Sequence, residues 1–146
     1  MQKSFSIGDL SRATGVKPTT IRWYEAEGLL PEPGRSAGGQ RAYEISHLQR
    51  LGFIRHAREL GFAMPAVRGL LELSAQPEQD CGEAHAAAMA QIEAIDMKMR
   101  QLTALRAELS RVAEACRGGR VADCRIIETL ADHAHGHCLE SGHGPR

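Results

Sequence analysis

The sequence predicts a mainly α-helical, essentially all-α fold. A helix-turn-helix stands at the N-terminal end, one long helix pairs antiparallel with a partner, and a cysteine- and histidine-rich loop closes the chain. Three observations predict it. Aromatic residues are only 4% of the 146 positions and charged residues 25%, a mix rich in Ala, Leu, Arg and Glu that favours helix over sheet. Between Cys81 and Cys116 there is no proline and one glycine, Gly82, while Ile92, Ile95, Met99, Leu102, Leu105, Leu109 and Val112 recur at threes and fours. All four cysteines, Cys81, Cys116, Cys124 and Cys138, fall in the second half, with His133, His135, His137 and His143 crowded near its end.

The elements follow in order. Ser6 ahead of Ile7-Gly8-Asp9-Leu10 has the form of a helix N-cap with its acidic partner, and Ile7, Leu10 and Ala13 share a face until Gly15 breaks the helix. Pro18 suits a first helical turn, and Thr19 to Gly28 predicts a second short helix. Two short helices around a tight glycine turn make a helix-turn-helix. Pro31, Pro33, Gly34, Gly38 and Gly39 exclude a helix between Leu30 and Tyr43, so a loop or short hairpin is expected there. Ser46 caps a segment carrying Leu48, Leu51, Ile54 and Leu60 at helical spacing. Gly61 ends it, and Met64 to Leu73 predicts a further helix.

Roughly 35 residues of helix from Cys81 to Cys116 span about 50 Å, too long for one small domain to cover. So narrow an apolar stripe pairs with another helix, most simply its own symmetry mate. Arg106 interrupts a strict heptad, which predicts a short antiparallel or drifting contact instead of an extended zipper. Gly118-Gly119 ends the helix, Ile126 to Ala131 predicts a short one, and residues 133–146 form a His- and Gly-rich tail.

Charge and composition bound the function. Lys/Arg and Asp/Glu are balanced at 18 each, yet the basic residues lean toward the first 75 positions, a modest bias that suits a nucleic-acid partner. No stretch approaches the roughly 18 apolar residues of a membrane helix, and MQKSFSIGDL lacks a signal-peptide core. A cytoplasmic protein with no membrane partner is expected. Thiols in a reducing compartment serve as metal ligands, redox centres or buried apolar groups. No phosphate-binding glycine loop or nucleophile elbow is present, so no enzyme is expected.

Thr19, Thr20, Arg22 and Tyr24 lie on the expected recognition helix with Ile21 inward, and Arg35 and Arg41 add cations near Gly38-Gly39. On their own these residues fit surface charges on a small helical domain equally well. The ordered set is more telling. Ser6-Ile7-Gly8 through Thr14-Gly15-Val16, Ile21-Arg22-Trp23-Tyr24-Glu25 with Gly28-Leu29-Leu30, then Arg35, Gly39, Arg41 and Tyr43, and Arg58-Glu59-Leu60-Gly61-Phe62 together resemble the MerR family of regulators over nearly the whole chain. The resemblance implies a winged helix-turn-helix, and a homodimer on a near-palindromic promoter whose distortion lets RNA polymerase engage. It also implies Arg22 and Tyr24 on phosphates and a wing around Arg41 and Tyr43 on the flanking backbone. Gln40 departs from the aromatic residue many members carry.

Thiolates bind soft and borderline ions. Cys116 and Cys124 flank seven residues with two glycines, which lets the loop fold both sulfurs onto one ion. At the end of a long helix, this resembles the metal loop of the heavy-metal MerR regulators. If two such helices pair antiparallel, Cys81 of one subunit meets Cys116 and Cys124 of the other, as in the family's sensors of divalent metals. The inducer expected is therefore Zn(II), Cd(II) or Pb(II), with Hg(II) also accommodated. A structural Cys81, and a Cu(I), Ag(I) or Au(I) sensor using two thiolates, remain the alternatives. His85, one turn after Cys81, is either a further ligand or a surface histidine; His133, His135, His137, Cys138 and His143 are either an accessory metal site or a polar tail. An iron–sulfur or thiol redox regulator, or a metal-buffering protein that never meets DNA, are the rival functions. The resulting division is residues 1–75 as the DNA-binding domain, 76–117 as the dimerisation helix, and 118–146 as the metal loop and tail.

Overall fold

The computed structural model describes residues 3–132, and the chain forms two compact units, Met1–Gln91 and Ile92–Arg146. In the first unit, α1 (Ile7–Thr14) starts at a reciprocal cap. The Asp9 N–H donates to Ser6 Oγ at 3.1 Å, and the Ser6 N–H donates to the Asp9 carboxylate at 2.8 Å. Gly15, at φ 72°, ends it. The buried residues of α1 are Leu10 and Thr14, and Ala13 is exposed, contrary to the expected Ile7–Leu10–Ala13 face. Thr14 is tolerated inside because its hydroxyl donates to the Leu10 carbonyl at 2.7 Å.

After Lys17, α2 (Pro18–Ala26) opens on its proline and closes earlier than expected, since Gly28 takes a left-handed φ of 72°. The N–H groups of Leu29 and Leu30 both turn back to the Tyr24 carbonyl, and Arg68 donates to the Glu27 carbonyl at 3.0 Å. Between Leu30 and Tyr43 the chain takes the hairpin form. β1 (Gly34–Arg35) and β2 (Arg41–Ala42) pair antiparallel with Arg35 opposite Arg41, and Phe5 bridges to Tyr43 at the hairpin's base.

Helix α3 (Ile45–Glu59) begins before the expected Ser46 cap. Glu44 is the N-cap, and its N–H donates to His47 Nδ1 at 3.0 Å. α4 (Met64–Ser74) follows the Gly61 turn. The core of this unit gathers Leu10, Ile21, Leu29, Leu30, Tyr43, Leu51, Ile54 and Val67, all fully buried. Each such aliphatic side chain contributes about 1.5–3 kcal/mol of transfer free energy. Leu60, expected on the α3 stripe, is 66% exposed because it caps the helix, and Phe62 beyond the turn packs on the core in its place.

Helix α5 (Gly82–Ala115) is continuous over 34 residues. Ile95, Met99, Leu102 and Leu109 along it are exposed, Leu105 is half-buried and Val112 is buried, so most of the apolar stripe has no cover among the described residues. Beyond Gly118 and Gly119, at φ 110° and 116°, come a 3₁₀ turn (Val121–Asp123) and α6 (Arg125–Ala131). Among the described residues no helix is long and apolar enough to cross a membrane.

Candidate nucleic-acid interface and metal centre

The inward face of α2 carries Ile21 and Tyr24, and successive residues rotate about 100° around a helix. Thr19, Arg22, Trp23 and Ala26 therefore project outward, and all four are exposed, while Thr20 is half-buried at the edge. Tyr24 corrects the sequence expectation. Three residues after Ile21, it shares the inward face and is only 7% exposed, which leaves little of it to reach a phosphate. Tyr43 is a second correction: it is fully buried and its hydroxyl donates to Glu25 Oε1 at 2.6 Å. Burial first, and the Glu25 carboxylate second, raise its ionisation well above the ordinary tyrosine range. Its place is in the core, linking the wing to α2.

The wing arginines are exposed. Arg35 donates to the Gly39 carbonyl at 3.1 Å, closing a turn in which Gly39 takes φ 76°. Arg41 Nε lies 3.2 Å from Glu25 Oε2. Arg22, Arg35 and Arg41 border a groove between α2 and the wing, and the same three border a second groove beside Ser6 and Ile7. Three guanidinium groups around open grooves attract an anionic backbone, and arginine's fork of donors suits phosphate oxygens.

Two residues of this surface were missed by the expected set. Trp23 is 48% exposed on the outward face of α2, a place the helical rotation from Ile21 already fixes. Glu25 bonds across to the wing, which no periodicity signals.

In the second unit, Cys116 follows the end of α5 and Cys124 is the N-cap of α6. The two left-handed glycines turn the intervening loop so that the sulfurs stand 3.3 Å apart, both half-buried and both free thiols. The hydrogen bond with Cys124, then the Gly118 N–H, lower the Cys116 thiol below its ordinary value; the N–H groups of Arg125 and Ile126 add to this against the opposing effect of burial. A stabilised thiolate is the form that binds metal. Two half-buried thiols on one loop are a donor set that soft and borderline ions accept, and Cys116 and Cys124 would hold such an ion.

Cys81 is exposed just before α5, and its carbonyl accepts the N–H of His85, itself exposed in the first turn. Among the described residues no three His, Cys, Asp or Glu side chains gather into one ligand set. His133, His135, His137, Cys138 and His143 lie outside the described residues.

Residues 5–74 match the family described as MerR HTH family regulatory protein, and residues 48–112 match the one described as MerR, DNA binding. The HTH-type transcriptional regulator ZntR of Escherichia coli strain K12 is 36% identical over 135 residues, covering 90% of this chain and 96% of its own. The transcription regulator PbrR691 of Ralstonia metallidurans CH34, solved in complex with lead(II), is 40% identical with a TM-score of 0.74 over 86% of this chain and 98% of its own. The dual-function regulator MerR of Bacillus megaterium MB1, solved with mercury(II), is 30% identical with a TM-score of 0.67 over 88% and 100%. With a helix-turn-helix, a wing and a long following helix matched along nearly its whole length, the chain belongs to the MerR family of helix-turn-helix transcriptional regulators.

Proposed function

We propose that the chain is a metal-responsive regulator that binds promoter DNA as a homodimer. On this reading it activates efflux or resistance genes when a divalent soft ion, Zn(II), Cd(II) or Pb(II), occupies its thiolates. Residues 1–75 engage DNA through Thr19, Thr20, Arg22, Arg35 and Arg41, residues 76–117 form the dimer, and residues 118–146 hold the metal loop. The observation that carries the reading is the Cys116–Cys124 pair, 3.3 Å apart at the end of a helix whose apolar stripe is uncovered. The lead(II) and mercury(II) bound in two similar regulators support a soft divalent ion.

Cys81 enters as the third ligand by length. Thirty-four helical residues at 1.5 Å each separate it from Cys116 by about 51 Å along one chain. An antiparallel second copy brings the partner subunit's Cys81 to the Cys116–Cys124 loop instead. Two thiolates suffice for a monovalent ion, whereas divalent ions want three or four ligands. When bound, such an ion would neutralise the Cys116 and Cys124 thiolates, and the loop between them would order. That biases the long helix and, through it, the spacing of two DNA-binding domains, so that distorted promoter DNA aligns for RNA polymerase.

A panel of metals tests this, reading promoter output and thiolate-to-metal absorption at fixed pH. Cys116→Ser or Cys124→Ser should abolish every response. Cys81→Ser should impair Zn(II), Cd(II) and Pb(II) more than Cu(I), and removal of residues 133–146 should only shift sensitivity. A wild type that answers Cu(I), Ag(I) or Au(I) alone, or a Cys81→Ser variant that answers every divalent ion normally, defeats the three-thiolate site.

A further inference from the structure

Glu25 closes the segment Ile21-Arg22-Trp23-Tyr24-Glu25, yet no role assigned above uses it. Its side chain is only 11% exposed, and burying a carboxylate is costly unless charge and hydrogen bonds compensate it. Both of its oxygens are met from the wing: Tyr43 donates to Oε1 at 2.6 Å, and Arg41 Nε stands 3.2 Å from Oε2. Tyr43 is fully buried, which fixes its hydroxyl, and Arg41 sits on β2 opposite Arg35 of β1. An unanchored arginine explores many rotamers that DNA binding must freeze. A guanidinium has five N–H donors in a rigid fork, and Arg41 meets Glu25 through an ion pair at its Nε edge. The same side chain lines the groove bordered by Arg22 and Arg35.

We propose that Glu25 is a positioning residue for DNA recognition, holding Arg41 of the wing in register with Arg22 of α2 so that a backbone phosphate meets both. The inference rests on the DNA-binding reading above. It has two consequences of opposite sign. Removing the carboxylate's charge frees Arg41 and raises the positive charge of the surface, so binding to any duplex strengthens. Arg41 also loses its fixed place, so discrimination between duplexes falls. A Glu25 that only supports the fold would weaken both together.

The test uses the full chain, a duplex that the wild type selects from a randomised pool, and a scrambled duplex of equal composition, followed by anisotropy through a salt titration. Glu25→Gln should bind the scrambled duplex at least as tightly, with a log–log salt slope steeper by about one. Its ratio of selected to scrambled affinity should fall by about fivefold or more. Arg41→Lys keeps the charge but lacks the fork. It should lower the ratio similarly at an unchanged slope, and it carries the test if circular dichroism shows that Glu25→Gln does not fold. Adding Glu25→Gln to Arg41→Lys should then cost little further discrimination. An unchanged ratio in the folded variants, or a parallel loss on both duplexes, overturns the proposal. A wild type that selects no duplex defeats the DNA-binding reading itself, and that result is visible before any variant is made.

Discussion

Arg22 and Tyr24 sit two residues apart on α2, yet one faces out and the other is almost wholly buried. An exposed cation beside two wing arginines acts on a polyanion as one neutralised phosphate, independent of sequence. Arg22→Ala should therefore weaken binding to all duplexes, flatten the salt slope by about one, and leave metal affinity unchanged. Identical salt titrations for variant and wild type would remove Arg22 from the interface. The outward set Thr19, Arg22 and Trp23 is legible from the helical period once Ile21 is placed inside. Tyr24 and Tyr43 were not legible in this way, because an amphipathic ring serves equally as core filler and as a polar contact. Cys116 carries a second prediction at this scale. Its folded thiol titrates below the unfolded one, so the thiolate's contribution to stability is complete above the unfolded thiol's range and is lost as pH falls through the lowered folded value. The Cys124 hydrogen bond is the largest cause. Cys124→Ala should consequently move the Cys116 titration upward in the metal-free protein, read as the ultraviolet thiolate absorbance lost in Cys116→Ser. An unmoved titration would assign the shift to the backbone N–H groups instead.

Element boundaries depend on single residues whose conformation the chain cannot exchange. Gly15 ends α1 at φ 72°, and a Cβ there would stand 2.7 Å from Arg55 Nη1, on a side chain that donates to the Thr14 carbonyl. Gly52, in contrast, lies inside α3 with open space around a built Cβ and ordinary helical backbone. The same substitution should thus act with opposite signs. Gly15→Ala should destabilise by about 1–3 kcal/mol, from the left-handed backbone and the displaced arginine. Gly52→Ala should stabilise by about 0.5–1 kcal/mol, from helix propensity. Urea unfolding of both variants checks the pair, and a shared sign would contradict the geometry. Helix existence was readable here from Ser6 with Asp9, Pro18, Gly61 and Gly118-Gly119, since caps and breakers act locally. The start of α3 was not, because Ser46 is the better intrinsic cap while tertiary packing of Tyr43 and His47 sets the first turn at Glu44. The hairpin likewise became definite only through cross-strand pairing of Arg35 with Arg41, a contact that local propensity leaves open.

At the scale of the whole molecule, the decisive question is whether one metal site belongs to one chain or to two. The pattern of Ile95, Met99, Leu102 and Leu109 announces an uncovered stripe in sequence and in structure alike. Which sulfurs an ion joins is less legible, because on the proposed reading Cys81 would meet Cys116 and Cys124 only through a second copy of the chain. Subunit mixing separates the possibilities. Take Cys81→Ser and the double variant Cys116→Ser/Cys124→Ser, each expected to bind no divalent ion tightly as a pure dimer. In a heterodimer, the first chain supplies Cys116 and Cys124 while the second supplies Cys81, so one of the two sites is whole. Random exchange of equal amounts makes half the dimers mixed, and with one whole site in each about a quarter of the wild-type sites should return. Titration of Cd(II) by thiolate-to-metal absorption, before and after co-refolding, measures this recovery directly. A site built within one chain predicts no recovery at any mixing ratio. A site needing only Cys116 and Cys124 predicts full binding by Cys81→Ser before mixing begins.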